Sequence, residues 1–264
     1  MELSERYHGC MLGLAIGDAY GAAYEFLHPS YIQLERDYQF CYTHGIESGY
    51  YTDDTSQTLC IALSILEQGR FDEHDVANRL VRWYRDGYLS SVEGDCFDIG
   101  TQTRNALDFY INTGRYMDTT SATMQGNGSL MRVGAIAMAY SGQPLIDHTS
   151  RSSIITHANA TCVNLCVRYA QLVRMALDGC SRDEIIEASG FNADRLDFDG
   201  RGWVVNAFNV AIYSFIYTDT FFDAIRMAVE FGFDTDTNAS ILGMLAGAYY
   251  GVDGIDQHLS DALS

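Results

Sequence analysis

Apolar residues recur at spacings of three and four positions along most of the chain, the period of an amphipathic helix. This pattern predicts helices over 3–23, 55–68, 74–84, 101–111, 129–140, 159–178, 203–217, 221–231 and 237–250. Clusters of Gly, Asp, Ser and Thr predict loops around 43–53, 86–98, 112–128 and 189–202. Alternation with a period of two is nowhere sustained. We therefore expect an all-α fold in which strands are absent or trivial.

No linker, low-complexity tract or charge block interrupts the helical pattern, so we expect a single domain over 1–264. The length is ample for one sizeable core. The longest apolar runs, 202–218 and 238–252, do not suit a membrane span. The first contains polar residues, and the second is shorter than the roughly 20 residues that a span needs. Both are better interpreted as buried core helices, and no membrane partner is expected.

The charged residues exclude several kinds of chemistry. All 16 cationic side chains are arginine, against 35 acidic ones, for a net charge of −19. Without lysine, neither Schiff-base chemistry nor a GxxxxGK[ST] phosphate loop is possible. The acidic balance argues against nucleic acid as a partner, because binding its backbone needs a basic surface. Seven cysteines without a CxxC pair, and an N-terminus that lacks the features of a signal peptide, favour a cytoplasmic location.

Two glycine stripes lie in the first and last long helical segments. They repeat every four residues, at Gly9, Gly13, Gly17 and Gly21 and at Gly243, Gly247 and Gly251. Each glycine inside a helix costs roughly 1 kcal/mol relative to alanine. Several on one face indicate close backbone packing between helices, so we interpret the stripes as structural.

Two acidic, hydroxyl-rich clusters directly precede apolar runs. Thr52-Asp53-Asp54-Thr55 and Asp234-Thr235-Asp236-Thr237 are near-copies of each other. Either alone fits an ordinary helix N-cap, where Asp and Thr are favoured. Capping uses one side chain, whereas each cluster offers several oxygens of the kind that Mg²⁺ or Mn²⁺ prefers. The pair therefore favours a site for two divalent cations, whose charge would balance the four aspartates.

Over about positions 6–251 the sequence resembles the ADP-ribosylglycohydrolase family, hydrolases that remove ADP-ribose from modified proteins and similar adducts. The paired TDDT and DTDT are the most specific part of this resemblance. The matching segments, in the order of the family, are GCMLGLAIGDAYGAAYEF at 9–26, YTDDTSQT at 51–58, CFDIG at 96–100, GNGSLMR at 126–132, ITHAN at 155–159 and FDTDTNASILGMLAGAYYG at 233–251.

The resemblance implies an all-α fold with a binuclear Mg²⁺ or Mn²⁺ centre at one end of a cleft. It implies six metal ligands: Thr52, Asp53, Asp54, Asp234, Asp236 and Thr237. Glu25 matches a glutamate that in parts of the family approaches the metals and takes part in gating or acid–base work. Asp98 matches an aspartate near the scissile ribose in bacterial members. We therefore expect Glu25 and Asp98 to be catalytic.

The resemblance also implies a set of substrate-binding residues. The loop that holds the diphosphate matches Gly126, Asn127, Gly128 and Ser129. Arg132 would either neutralise phosphate or pair with an acid, and the sequence leaves both open. His157 matches a histidine that lines the cleft, and Trp203 falls where relatives place an aromatic side chain near the nucleotide. Phe233 stands where the family often has a second glycine, which affects the shape of the adjacent ribose pocket.

Two other enzyme classes are weaker interpretations. His74-Asp75 is reminiscent of HD-type metal phosphohydrolases, but the further histidines that such a site needs are not arranged in series. A serine hydrolase of the nucleophile-elbow type would need a GxSxG motif, which is absent. The serious alternative is an inactive ADP-ribose-binding or structural relative. In such a relative the acidic clusters would be eroded, whereas all six candidate ligands are present here.

We therefore expect a metal-dependent ADP-ribosylglycohydrolase that cleaves the bond at ribose C1″ and releases ADP-ribose. Its partner would be an ADP-ribosylated protein or a small ADP-ribosyl compound. Arginine is the expected acceptor, because the CFDIG and GNGSLMR segments look most like those of bacterial arginine-type members. Serine, other side chains, nucleic-acid adducts and small compounds remain open.

Overall fold

The computed structural model describes residues 1–192 and 197–264 and is built from α-helices. The part of the predicted loop 189–202 that falls on 193–196 lies outside the described residues. The helices are α1 Leu3–Ala22, α2 Asp53–Gln68, α3 Glu73–Asp86, α4 Thr101–Thr113, α5 Gly134–Ala139, α6 Gly142–Ile154, α7 Ala160–Leu177, α8 Arg182–Ser189, α9 Val204–Ile216, α10 Phe221–Glu230, α11 Thr235–Tyr250 and α12 Gln257–Ala262. Within these ranges, β-pairing is limited to two isolated bridges, Cys41 with Ile46 and Gly126 with Trp203.

All nine predicted helical segments contain a helix, but three helices were not predicted. Both α8 and α12 are too short and polar to show a clear period. Helix α6 begins at Gly142 and contains Pro144 in its first turn, where the missing N–H has no intrahelical partner to lose. The segment predicted over 129–140 is helical only from Gly134, because turns occupy the residues before it.

Helices α1 and α11 form the buried centre of the fold and run antiparallel. The glycines of α1 face backbone oxygens of α11, with Gly13 opposite Gly243 and Gly21 opposite Thr235. A Cβ added at Gly21 would lie 2.5 Å from the Cα of Asp236, which is too close for any real contact. The stripes therefore bring two backbones together, as their spacing predicts. Gly251 departs from the pattern, since it ends α11 with a φ of 72° rather than lying inside the helix.

The C-terminal end of α1 lies beside the first turns of both α2 and α11. Gly21 packs on the start of α11, and Asp18 hydrogen-bonds to the start of α2. The loops that follow α1, α3 and α4 approach this same end of the bundle. Among the described residues, no helix combines the length and apolar character needed to cross a bilayer.

Candidate active site and metal centre

The first turn of α2 is held by a carboxylate from another helix. Asp18, fully buried on α1, accepts hydrogen bonds at Oδ1 from the Thr52 N–H and hydroxyl, both at 2.8 Å. Its Oδ2 accepts from the Thr55 N–H at 2.9 Å and from the Thr55 hydroxyl at 2.6 Å. Thr52, at the N-cap position, makes no capping bond with its own side chain. Asp18 thus supplies the cap, which leaves Asp53 and Asp54 free for other contacts.

The first turn of α11 is held differently. Asp234 is at its N-cap position and makes no capping bond with its side chain. Instead, its Oδ2 accepts a 2.7 Å hydrogen bond from the Asn127 amide. The Thr235 hydroxyl donates to the Gly21 carbonyl at 2.7 Å. Neither acidic cluster therefore behaves as the simple N-cap that its sequence alone permits.

The two clusters meet in space. The Thr52 hydroxyl lies 3.3 Å from Asp236 Oδ2, and the Thr237 hydroxyl lies 3.5 Å from Asp54 Oδ2. Two groups of carboxylates each bring their oxygens within 4.8 Å of one another; they are Asp18 with Asp54 and Asp236, and Glu25 with Asp234 and Asp236. Residues 182 positions apart in the chain, Asp54 and Asp236, thus share one site.

Buried carboxylates in such proximity need positive charge. Burial, then repulsion by Asp234, raises the pKa of Asp236 to about 6. Burial and neighbouring carboxylates also raise the pKa values of Asp53 and Asp54 well above their usual range. Moreover, Asp54 Oδ1 and Asp236 Oδ1 are buried without a hydrogen-bond partner among the described residues. Buried, unpaired acceptors of this kind fit metal ions, so the acidic clusters can hold cations.

Glu25, His44 and Asp98 form a second group at the site, of which the sequence analysis predicted Glu25 and Asp98. His44, in the loop after α1, lies with its Nε2 2.6 Å from Glu25 Oε2 and 3.4 Å from Asp98 Oδ1. Burial and the charge of Asp236 raise the pKa of Glu25 to about 11, and burial lowers the pKa of His44. His44 was missed because a lone histidine in a loop has no spacing that marks it. Asp18 was missed because it looked like one more residue of a packed helix.

These groups form one end of a cavity of about 660 Å³. Glu25, Asp53, Asp98, Asp234 and Thr237 line it. Four predicted substrate residues also line it: Gly126, Asn127, Gly128 and His157. The rest of the lining is formed by Phe26, Ile99, Gly100, Thr101, Gln102, Thr103, Arg104, Met131, Arg201, Gly202 and Phe233. The cavity therefore leads from the carboxylates to the GNG loop.

Three predicted substrate residues do not line this cavity. Ser129 is buried, and its hydroxyl accepts from Ser153 at 2.9 Å. Arg132 is fully buried, and its side-chain hydrogen bonds go to neutral groups, namely Gln57, Ser152 and Thr156. Trp203 is 46% exposed and lines an adjoining cavity of about 500 Å³, with its Nε1 donating to Gln125 at 2.8 Å. A ligand in the main cavity could touch Ser129 or Arg132 only if the wall opened.

Strained backbone marks the cavity. Phe26, Asp98 and Phe233 all have a φ near +60°, where residues with side chains are uncommon, and all three line the cavity. The Phe26 N–H donates to the Phe233 carbonyl at 2.5 Å, and the Phe233 N–H donates to Leu27 at 2.8 Å. These bonds hold Phe233 in the left-handed conformation that a glycine would adopt without strain. Where the family often has a glycine, Phe233 thus adds a ring to the cavity, and the Arg201 guanidinium lies 4.4 Å from the centroid of that ring.

The fold and site define an all-α protein with a carboxylate centre, suited to cations, at the end of a deep cleft. Comparison with known families agrees with this class. A profile of the ADP-ribosylglycohydrolase family matches residues 1–264. The chain therefore belongs to the ADP-ribosylglycohydrolase family, as the motifs predicted.

Individual relatives support the assignment. The ADP-ribosylarginine hydrolase Tri1 of Pseudomonas putida (strain GB-1) is 36% identical over 269 residues, which cover 95% of this chain and 72% of the relative. The ADP-ribosyl-dinitrogen reductase glycohydrolase of Rhodospirillum rubrum is 28% identical over 265 residues, covering 95% of this chain and 87% of the relative. A solved structure described as an ADP-ribosylglycohydrolase-related protein complex matches with a TM-score of 0.87 and 32% identity, over 100% of this chain and 93% of that one. The all-α prediction is confirmed.

Proposed function

We propose that this chain is a metal-dependent ADP-ribosylglycohydrolase that hydrolyses the bond between ribose C1″ and an acceptor, with protein arginine as the preferred acceptor. The observation that carries the proposal is the convergence of two acidic clusters at the end of a cavity that leads to the GNG loop. A folded relative that only bound ADP-ribose would not need so many unneutralised carboxylates in one place.

The proposed cofactor is a pair of Mg²⁺ or Mn²⁺ ions. Their ligands would be the six residues that the motifs identify: Thr52, Asp53, Asp54, Asp234, Asp236 and Thr237. Asp18 lies close enough to be a further ligand, but both its oxygens already accept two hydrogen bonds each, so it suits positioning. When bound, the cations would supply charge stabilisation and orient the ribose hydroxyls and a water molecule.

The diphosphate would lie against the GNG loop. Gly126 and Gly128 approach the His157 ring so closely that an added Cβ would lie 3.3 and 3.1 Å from it. Glycine at both positions therefore lets the loop lie beside the imidazole, so that both line the same cavity, and a glycine-rich loop of this kind suits an anion. Asn127 connects this loop to the acidic end through Asp234. Trp203, exposed on the adjoining cavity, would contact the nucleotide.

Proton transfer is assigned to Glu25, with Asp98 as the alternative. Both line the cavity, and both face His44. A carboxyl group beside the metals could orient water or carry its proton, which is worth typically 10²–10⁴-fold in rate. We expect Glu25→Gln to lower kcat by about 10²-fold or more while ADP-ribose affinity is kept or improved. An unchanged kcat, measured beside affinity by calorimetry, would assign the proton to Asp98.

Arginine as acceptor rests on the name of the Pseudomonas putida relative and on the cleft itself. Phe26 is 67% exposed and lines the cavity next to the acidic residues Glu25 and Asp98. An aromatic face beside carboxylates suits a cationic guanidinium group. We also propose a cytoplasmic location, on the interpretation of the cysteines as reduced thiols.

The experiment is a hydrolysis assay on matched peptides that carry ADP-ribose on arginine or on serine. Released ADP-ribose is measured by chromatography with Mg²⁺, with Mn²⁺ and with chelator. We expect release from the arginine peptide that stops in chelator and returns with metal. Full turnover in chelator would defeat the metal centre. Binding of ADP-ribose without turnover of any acceptor would favour the inactive relative.

A further inference from the structure

Among the described residues, Arg132 is the largest charged side chain that is fully buried, and it does not line the cavity. Its side chain is fully buried, and burial lowers the pKa of the guanidinium to about 10. Nη1 donates to Gln57 Oε1 at 2.6 Å, and Nη2 donates to the Thr156 hydroxyl at 2.7 Å and to the Ser152 carbonyl at 3.3 Å. A buried cation bonded only to neutral groups is costly, so its contacts call for an explanation beyond packing.

The first arm of Arg132 leads to the acidic cluster. Because Gln57 Oε1 accepts from the guanidinium, the amide nitrogen of Gln57 must point the other way. It donates to Asp53 Oδ2 at 2.7 Å. Arg132 therefore fixes which way the buried Gln57 amide faces, and Gln57 in turn fixes the carboxylate of Asp53, which lines the cavity.

The second arm leads to His157, which also lines the cavity. The Thr156 hydroxyl has one proton and is fully buried. Since it accepts from Arg132, its own proton is left for its other neighbour, His157 Nδ1, at 2.7 Å. A buried donor is rarely left unpaired, so Nδ1 is the acceptor in this bond. The ring proton is then on Nε2, which lies beside the GNG loop.

The charge state of His157 agrees with this arrangement. Burial, and then the charge of Arg132, lower the pKa of His157 to about 3. The imidazole is therefore neutral near pH 7, and it carries a single proton whose position matters. On Nε2 the proton makes His157 a hydrogen-bond donor toward the cavity; on Nδ1 it would leave an acceptor there.

We propose that Arg132 is a positioning residue that, through Thr156, holds His157 as the Nε2–H tautomer and, through Gln57, orients Asp53. One buried guanidinium thus fixes both a hydrogen-bond donor and a carboxylate that line the cavity. The donor selects a ligand with an oxygen acceptor at the GNG loop. That last consequence rests on the proposed function, whereas the tautomer does not.

The tautomer is tested by ¹⁵N NMR on protein labelled at histidine, without any ligand. The His157 signals among the seven histidines are identified by their loss in His157→Gln. We expect a protonated Nε2 and an unprotonated Nδ1 that stay unchanged between about pH 5.5 and 8. Thr156→Val removes the hydroxyl at nearly constant shape, so the Nδ1 signal shifts and the Nδ1–H form appears; Thr156→Ser restores the original pattern.

Two variants separate this effect from general disturbance of the core. Thr149→Val removes another fully buried threonine hydroxyl, one without a hydrogen-bond partner among the described residues, and leaves the His157 signals unchanged. Arg132→Lys keeps the charge but cannot donate to both Gln57 and Thr156 in the same geometry. We therefore expect the His157 signals to change in the same direction as in Thr156→Val. An Nδ1–H tautomer in the unaltered protein, or an unchanged pattern in Thr156→Val, would overturn the proposal.

Ligand affinity provides the second measurement. Calorimetry with ADP-ribose should show binding about tenfold weaker in Thr156→Val and unchanged in Thr156→Ser and Thr149→Val, as expected for one misdirected hydrogen bond to an anion. Equal affinity of all these proteins for ADP-ribose would contradict the claim that the His157 donor selects the ligand. If neither the original protein nor any variant binds ADP-ribose, the proposed function fails. The NMR result still decides the tautomer in that case.

Discussion

The two acidic clusters look like copies in the sequence, yet the fold secures them by different means. The cluster that begins α2 is tied by four hydrogen bonds to the carboxylate of Asp18. The cluster that begins α11 is tied by backbone packing against Gly21, by a hydrogen bond from Thr235 to the same glycine and by one from Asn127 to Asp234. The first cluster depends on one partner carboxylate, whereas the second combines hydrogen bonds with close packing on a glycine.

This difference shows how a helix terminus can be made available for binding. A cap formed by the helix itself would use the carboxylates of the first turn. Here the cap of α2 comes from α1, and α11 is held by contact with the same helix. The acidic side chains of both first turns can therefore face one another across a site. Helix α1 thus positions both acidic clusters. Of the two predicted catalytic residues, Glu25 lies just beyond the C-terminal end of α1, and Asp98 lies on a different segment.

The largest effect is expected when charge is removed from either cluster. Asp53→Asn and Asp236→Asn keep the shape of the side chain, but each removes a proposed metal ligand. Both should reduce turnover by roughly a thousandfold or more, about 4 kcal/mol of transition-state stabilisation, and weaken Mg²⁺ or Mn²⁺ binding. Circular dichroism should show unchanged helix content. Asp219→Asn, at a 98% exposed side chain, serves as the control. Full activity in both variants would contradict the proposed metal centre.

The next effect is selective for the α11 cluster. A Cβ at Gly21 would lie 2.5 Å from the Cα and 2.6 Å from the N of Asp236, so the start of α11 must move. We expect Gly21→Ala to lower the free energy of unfolding by about 1–3 kcal/mol and to weaken cation binding. Gly134→Ala is the matched control, since its added Cβ would make only ordinary contacts, the shortest of them 3.4 Å from Met244 Sδ. Urea unfolding measures both, and a Gly21→Ala protein as stable as the control would contradict the close packing.

Much of this arrangement could be predicted from the sequence, and the part that could not has a common cause. The helical period located nine of the helices, and the glycine stripes indicated which two pack closely. Both clusters were recognised because several ligands lie together in the chain. Asp18, His44 and the contacts of Arg132 depend on pairings between distant segments, which periodicity does not encode.

The loops illustrate the same limit at the cavity. Phe233 was expected to affect the shape of the ribose pocket, and the structure places it in the cavity lining with a φ of 63°, a detail of the backbone that the motif does not show. The sequence left open whether Arg132 neutralises phosphate or pairs with an acid, and in the structure turns carry its side chain beneath the wall, where it bonds to neutral groups. Direction of a side chain within a turn is set by backbone contacts that a motif does not show.

A smaller effect is expected for the α2 cluster alone. Asp18→Asn replaces one of two acceptor oxygens by an NH₂ group that faces N–H and O–H donors from Thr52 or Thr55. The lost bonds destabilise the protein, but removing a buried charge whose pKa is raised to about 7 offsets part of that loss. We expect a net loss of about 1–2 kcal/mol in the free energy of unfolding and weaker cation binding. Urea unfolding of Asp18→Asn and Gly21→Ala, both without added metal, compares the two ways in which the helix termini are held. An unchanged free energy of unfolding in Asp18→Asn would show that the cap is dispensable.

The last effect is a pH dependence to which Asp236 and Asp18 both contribute. Burial and mutual repulsion raise the pKa of Asp236 to about 6 and that of Asp18 to about 7, against about 4 in an unfolded chain. Groups with raised pKa values favour folding fully below about pH 4, and that contribution is lost as the pH rises through about 6 to 7. A cation must displace these protons, so stabilisation by Mg²⁺ or Mn²⁺ should grow from pH 5 to pH 8, by at most about 1.4 kcal/mol per pH unit for each proton displaced. Thermal unfolding at constant ionic strength, with and without metal, measures the difference in Tm. The same series on Asp236→Asn should be flatter, and metal stabilisation that falls as the pH rises would contradict a carboxylate centre.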